Sequence, residues 1–143
     1  MKIRTVIDPE GCEEIVIYSR SETDLGERIE ALLSEGERRL FGYRNGEIVP
    51  ILSDDVDAFV IEEGRTVAVM GVERLRVRGR LYELEEAMSD SFVKINQSCL
   101  VNISRISRCR AGFGGSLMVI LRGGFSDYVS RRQMKEFKKR MDF

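Results

Sequence analysis

Four polar side chains in residues 91–110 have the most distinctive chemistry in this chain. They lie within five residues of one another and are Lys94, Asn96, Gln97 and Ser98. Asn and Gln side chains both donate and accept hydrogen bonds and can pair with adenine in the major groove of DNA, whereas Lys and Arg suit guanine or phosphate. The alternative interpretation is an ordinary polar loop between two strands.

The charge of the chain is divided unevenly between its two halves. The formal net charge is −1, but residues 1–71 carry 8 Lys/Arg against 16 Asp/Glu, and residues 72–143 carry 15 against 8. Within residues 91–143, eleven Lys/Arg side chains are opposed by only three acids. Such an excess of positive charge favours a polyanionic partner. A merely solvated helix or strand face would also account for it.

Short apolar runs separated by Gly-rich turns predict a mainly β fold, α+β overall, with an antiparallel core and a few helices. The predicted strands after residue 39 cover residues 40–43, 48–52, 57–62, 66–70, 72–81, 117–121 and 125–129. The predicted helices cover residues 81–88 and 131–141, the second capped by Ser130. Residues 1–41 are predicted to form a β-β-α segment for packing or dimerisation, followed by a second domain over residues 42–143.

Residues 72–81 have a second pattern of chemical interest. Arginine occupies every other position there: Arg74, Arg76, Arg78 and Arg80. Because side chains alternate between the two faces of a strand, this spacing puts all four guanidinium groups on one face. They could follow a phosphate backbone, or they could protect an exposed edge strand from pairing with another chain. The sequence leaves both interpretations open.

The composition argues against catalysis, metal binding and a cofactor. The chain has no histidine, and its three cysteines show no CxxC spacing, which argues against a zinc site, a disulfide framework and a His-dependent triad. The acidic group Asp54, Asp55 and Asp57 lacks the Gly and Glu of an EF-hand loop. We therefore do not expect an enzyme. The thiols are expected to be buried small apolar residues, with a redox role for Cys99 or Cys109 as the alternative.

The chain has no obvious membrane or export signal. No stretch approaches the roughly 20 apolar residues of a membrane span, and Asp8 and Pro9 come too early for a signal peptide. We therefore expect a cytoplasmic location.

Three linked motifs follow one another in the second half of the chain. The first is Leu81-Tyr-Glu-Leu-Glu85, the second is Phe92-Val-Lys-Ile-Asn-Gln-Ser-Cys-Leu-Val-Asn102 with Ile106 after it, and the third is Gly124 with Val129-Ser-Arg-Arg132. In this order they resemble the LytTR family of DNA-binding domains, found in bacterial regulators of the LytR and AgrA type. The resemblance extends from about residue 42 to the end. It implies a mainly β fold that presents loops, not a recognition helix, to successive major grooves.

The resemblance also implies which residues contact DNA in the central loop. That loop falls on Asn96 and Gln97 as candidate base readers, with Lys94 and Ser98 on phosphate. A good bidentate contact to a base is worth about 1–3 kcal/mol of discrimination, so two or three such loops could specify a short half-site.

Two further loops are implied by the resemblance. The C-terminal loop arginine of the family falls on Arg132, with Arg131 adjacent. The first loop falls near Arg65 and Thr66, where this chain lacks the histidine that the family often has. We add the other candidate contacts of the basic C-terminal segment: Ser130, Lys135 and Lys138.

The resemblance therefore predicts sequence-specific binding to double-stranded promoter DNA by a stand-alone bacterial transcriptional regulator without a receiver domain. A protein-interaction module with a basic face and an RNA-binding domain are the alternatives. We expect a homodimer through residues 1–41. A small membrane protein that inhibits the regulator is implied by the resemblance alone.

Overall fold

The computed structural model describes residues 39–143, and before them only residues 9–11, 18 and 26. The β-β-α segment predicted for residues 1–41 therefore lies almost entirely outside the described residues. From residue 39 onward the chain forms two antiparallel sheets and two α-helices. The predicted mainly β class is confirmed.

The larger sheet has seven strands in the order β2-β1-β5-β4-β3-β7-β6, and each strand is antiparallel to its neighbours. The strands are β1 (Arg39–Arg44), β2 (Glu47–Leu52), β3 (Ala58–Glu62), β4 (Arg65–Met70), β5 (Glu73–Val77), β6 (Phe92–Asn96) and β7 (Cys99–Asn102). The arginine-bearing strand β5 lies between β1 and β4, inside the sheet. This position excludes the edge-protection interpretation for Arg74 and Arg76. The strand ends at Val77, so the prediction of one strand over residues 72–81 is wrong in its second half, and Arg78 and Arg80 follow the strand.

The smaller sheet has the order β10-β9-β8 and is formed by β8 (Ile106–Ala111), β9 (Leu117–Leu121) and β10 (Ser126–Tyr128). The helices are α1 (Leu81–Ala87) and α2 (Arg131–Met141). The Ser130 Oγ accepts a hydrogen bond from the Gln133 backbone N–H at 3.3 Å, so the predicted cap of α2 is confirmed. Phe137 is fully buried on its inner face.

Two hairpins of the larger sheet turn at dipeptides that end in glycine. Asn45 and Gly46 join β1 to β2 with φ values of 50° and 80°, the positive φ that a type I′ turn needs at both central residues. Glu63 and Gly64 join β3 to β4 in the same way, with φ values of 51° and 74°.

The polar segment over residues 91–110 is not one loop. It forms β6, β7 and most of β8, and only Gln97 and Ser98 connect the first two strands. Residues 99–101 are fully buried and belong to the core. Ile103 is half-buried and packs against the core that contains Cys99 and Val101.

The larger sheet separates two apolar cores because alternate residues of each strand point to opposite faces. Val60 and Val101 face the smaller sheet and α2, where they meet Phe137. Phe59 and Leu100 face the other way, towards α1. Burying a side chain of this size is worth about 1.5–3 kcal/mol, so the two cores hold the three layers together.

Asp57 fixes one end of the sheet, which we call the closed end. Its carboxylate is completely buried and accepts hydrogen bonds from the Arg105 Nε at 2.7 Å and the Gly71 N–H at 2.8 Å. A Cβ at Gly123 would overlap this carboxylate and lie 2.8 Å from the Gly71 backbone, so only glycine fits there. These contacts join the β4–β5 turn to the smaller sheet.

Asn102 lies beside Asp57 at the closed end and is 1% exposed. Its amide donates to the Val56 carbonyl at 2.9 Å and to the Ser53 carbonyl at 3.3 Å, and its Oδ1 accepts from both the backbone N–H and the hydroxyl of Ser104. Asn102 therefore holds the turn over Ile103–Arg105.

Candidate functional site

Two candidate loops lie side by side at the opposite, open end of the larger sheet. Strand β3 pairs with β7, so the turn at Glu63-Gly64 is a neighbour of the turn at Gln97-Ser98. The Ile61 N–H donates to the Ser98 carbonyl at 3.0 Å and keeps the two turns at the same level. The first and central loops of the sequence prediction are therefore adjacent.

Asn96 connects the central loop to β10. Its Nδ2 donates to the Asp127 carboxylate at 3.0 Å and to the Tyr128 carbonyl at 2.9 Å. Its Oδ1 accepts from the Ser98 N–H at 2.9 Å. Both amide hydrogens are thus used inside the protein, and the arrangement suits an anchor for the loop.

The third candidate loop is held beside the central one by the backbone. The Ser130 N–H donates to the Ile95 carbonyl at 2.8 Å, and α2 packs against β6. Arg131 and Arg132, which open α2, are exposed. All three predicted loops consequently meet at the open end of the sheet.

The predicted contact residues differ in what they present to solvent. Most are exposed: Arg65, Gln97, Ser98, Arg131, Arg132, Lys135 and Lys138. Lys94, Asn96 and Ser130 are half-buried. Thr66 is only 6% exposed, and its Oγ1 donates to the Gly79 carbonyl at 2.9 Å. Thr66 therefore joins the first loop to the end of β5 and has little surface to offer a ligand.

A cavity of about 790 Å³ lies between the first and central loops. We call it the arginine cavity because four arginines line it. Its lining includes Thr66, Gln97 and five positive side chains: Arg65, Arg76, Arg78, Arg80 and Lys94. The alternating arginines are visible in the sequence, but Arg76, Arg78 and Arg80 are not among the predicted DNA contacts. The strand order, which is not encoded locally, brings them beside the loops.

Cys99 lies directly behind the central loop and is completely buried. Burial, followed by the negative charge of Asp127, raises the pKa of its thiol far above the ordinary value. Burial also raises the pKa of the half-buried Cys109 thiol. Since the thiolate is the reactive form, neither environment activates a cysteine for redox chemistry. The expected buried position is confirmed for Cys99.

Within residues 39–143 and the few described positions before them, no group of three or more His, Cys, Asp or Glu side chains could hold a metal ion. Neither helix of this part of the chain is long and apolar enough to cross a membrane.

Comparisons with known proteins agree with one another. Residues 46–142 match the family model described as the LytTr DNA-binding domain. The chain is also similar to proteins described as uncharacterized HTH-type transcriptional regulators from Staphylococcus aureus strains NCTC 8325 and COL. Each is 30% identical over 102 residues, which cover 71% of this chain and 69% of the relative.

A solved LytTr DNA-binding domain from Bacillus cereus has a similar fold. Its TM-score is 0.70 at 18% identity, and the match covers 76% of this chain and all of that chain. The two helices within residues 39–143 are more than forty residues apart in sequence, so they do not form the helix-turn-helix that the names of the Staphylococcus relatives mention.

Proposed function

Because the chain belongs to the LytTR family of DNA-binding domains, we propose that it is a bacterial transcriptional regulator that recognises specific sequences in double-stranded promoter DNA through the three loops at its open end. The supporting observation is the convergence of these loops. The turns at Gly64 and Gln97 are adjacent through β3 and β7, and Asn96 and Ser130 tie the start of α2 to the central loop.

The proposed roles follow from exposure and hydrogen bonding. Arg65, Gln97 and Arg132 are exposed and are assigned to base edges. Thr66 and Asn96 are hydrogen-bonded within the protein and are assigned to positioning. Ser130 caps α2 and is assigned to positioning as well. The remaining candidate contacts are assigned to the phosphate backbone: Lys94, Ser98, Arg131, Lys135 and Lys138. Affinity then depends steeply on salt, since phosphate contacts release counterions.

Selection of bound duplexes followed by fluorescence anisotropy tests the proposal. The wild-type chain should prefer the selected duplex over a scrambled duplex and over an RNA of the same sequence. Gln97→Ala and Arg132→Ala should each reduce the preference by about 1–3 kcal/mol, roughly five- to 150-fold. Arg122→Ala is the matched control, because Arg122 is an exposed arginine at the closed end.

Equal affinity for selected and scrambled duplexes would instead favour a non-specific polyanion binder, and tighter binding to the RNA would favour an RNA-binding domain. If both loop variants kept the wild-type preference, the assignment of the reading loops would be wrong.

The assembly and partners are further parts of this proposal. We place the DNA-binding domain from β1 onward, close to the predicted boundary at residue 42, because β1 is a strand of the larger sheet. The homodimer through residues 1–41, the cytoplasmic location and the small membrane-protein inhibitor stay predictions. A monomeric mass by light scattering across working concentrations would exclude the homodimer.

A further inference from the structure

The arginines along β5 and the segment after it fall into two groups. Arg74 forms an ion pair with Glu62, and its guanidinium carbon lies 6.0 Å from the centre of the Phe125 ring. Arg76, Arg78 and Arg80 are exposed and form no ion pair with any residue between 39 and 143. Since β5 is an interior strand, pairing with another chain does not need to be blocked there. The second group needs a different explanation.

The second group gathers in one place, because all three of its arginines line the arginine cavity with Arg65 and Lys94. Glu85 is the one carboxylate in this lining. Five positive side chains around one concave surface repel one another, and a bound anion relieves that repulsion. The cavity is therefore built to receive negative charge.

The segment that carries Arg78 and Arg80 is held in position by contacts of three successive residues. The Arg78 guanidinium carbon lies 5.3 Å from the centre of the Tyr43 ring, a cation–π contact. The intervening Gly79 has a φ of 101° and accepts the Thr66 hydroxyl hydrogen bond. The Arg80 backbone N–H donates to the Glu83 carboxylate at 3.3 Å at the start of α1. The Arg78 side chain and the backbone of Gly79 and Arg80 are therefore fixed in advance, and groups fixed in advance lose less conformational entropy when a ligand binds.

From this arrangement we propose that the arginine cavity binds a phosphate group of the DNA backbone between the bases contacted by the first and central loops, with Arg78 and Arg80 as its main contacts. The inference rests on the proposed function. The walls of the cavity carry Arg65 and Gln97, so a duplex that reaches both side chains passes over its opening. Guanidinium groups bind phosphate oxygens in bidentate fashion. They bind carboxylates in the same way, so the preference for a DNA phosphate rests on the proposed base-contacting side chains Arg65 and Gln97 in the same lining.

The salt dependence of binding by the full chain gives the first test. Each phosphate contact that is neutralised contributes about 0.9 to the slope of log K against log salt concentration. The double variant Arg78→Gln/Arg80→Gln should lower the magnitude of that slope by about 0.9 on selected and scrambled duplexes alike, and each single variant should lower it by part of this amount. The preference between the two duplexes should stay unchanged. Arg74→Gln, on the strand that precedes them, is the matched control for each single variant, since it has the same loss of charge, and it should leave the slope at the wild-type value.

Two results of this experiment overturn the inference. The first is a wild-type slope in both Arg78→Gln and Arg80→Gln. The second is an Arg74→Gln slope that falls as much as theirs, which would indicate a general effect of net charge. Thermal unfolding of each variant identifies any loss of affinity that comes from misfolding. A wild-type chain with no preference for the selected duplex would contradict the proposed function itself, so the two failures are distinguishable.

Neutral methylphosphonate linkages placed in the duplex identify which backbone phosphate is bound. They also distinguish a contact with the DNA backbone from a site for free phosphate. One linkage at a time is neutralised along the selected duplex. At one position the wild-type chain should lose affinity, whereas the double variant Arg78→Gln/Arg80→Gln should lose none, because its contact with that phosphate is already absent. If no linkage behaves in this way, the inference is wrong. If, in addition, inorganic phosphate at constant ionic strength protects Arg78 from an arginine-modifying reagent as well as the duplex does, the cavity is a site for a free anion.

Discussion

Replacing Asn96 by alanine should destabilise the fold at the open end. The change removes the hydrogen bond to the Asp127 carboxylate and those with the Tyr128 carbonyl and the Ser98 N–H. A hydrogen bond to a charged group contributes about 1.5–3 kcal/mol and a neutral one about 0.5–1.5 kcal/mol. Because Asn96 is half-buried and water can replace part of each bond, we take the lower end of each range, about 2.5 kcal/mol in all.

Urea unfolding monitored by circular dichroism measures this loss, and the midpoint of thermal unfolding should fall by roughly 10 °C. Gln97→Ala is the matched control, since it truncates the next, exposed side chain. Its free energy of unfolding should stay within about 0.5 kcal/mol of wild type. If Asn96→Ala were as stable as Gln97→Ala, Asn96 would not anchor the loop, and its assignment to positioning instead of base contact would be refuted.

Two further predictions concern the closed end and the thiols. Asp57→Asn leaves Arg105 without its buried charged partner. The free energy of unfolding, measured in urea, should therefore fall by about 3–5 kcal/mol. A fall of less than about 1 kcal/mol would contradict the importance of this ion pair. In a Cys12→Ser background at pH 8, the folded chain should react with a disulfide reagent first at Cys109, because burial raises the pKa of both remaining thiols and Cys99 is fully enclosed. Modification of Cys99 faster than global unfolding would show that the core opens locally.

The parts of the fold that depend on neighbouring residues could be predicted from the sequence. The Asn45-Gly46 turn and its hairpin follow from the positive φ that these two residues tolerate. The bounds of α2 follow from the Ser130 cap and the apolar spacing that buries Phe137. In each case the determining contacts lie within a few residues of chain.

The parts that depend on distant residues could not be predicted. The alternating arginines over residues 74–80 fit an edge strand and an interior strand equally well, and only the order of the strands decides between them. Strand β6 was not predicted, because the half-buried polar residues Lys94 and Asn96 interrupt the alternation of apolar and polar residues by which a strand is recognised.

The candidate site was predicted at the level of loops but not of individual roles. The family motif indicates the central loop, yet the partners of Asn96 are 31 and 32 residues away on β10. Thr66 likewise contacts Gly79, thirteen residues later, which no local pattern reveals. Whether a polar side chain faces DNA or another part of the protein is determined by such long-range contacts.

Mapping of backbone amide chemical shifts, on titration of the full chain with the selected duplex, tests the central claim most directly. The account predicts the largest changes at the open end: Gly64 and Arg65, Gln97 and Ser98, Arg131 and Arg132. Largest changes at the closed end, around the Gly71-Val72 turn and at Gly123, would contradict DNA recognition by the three loops.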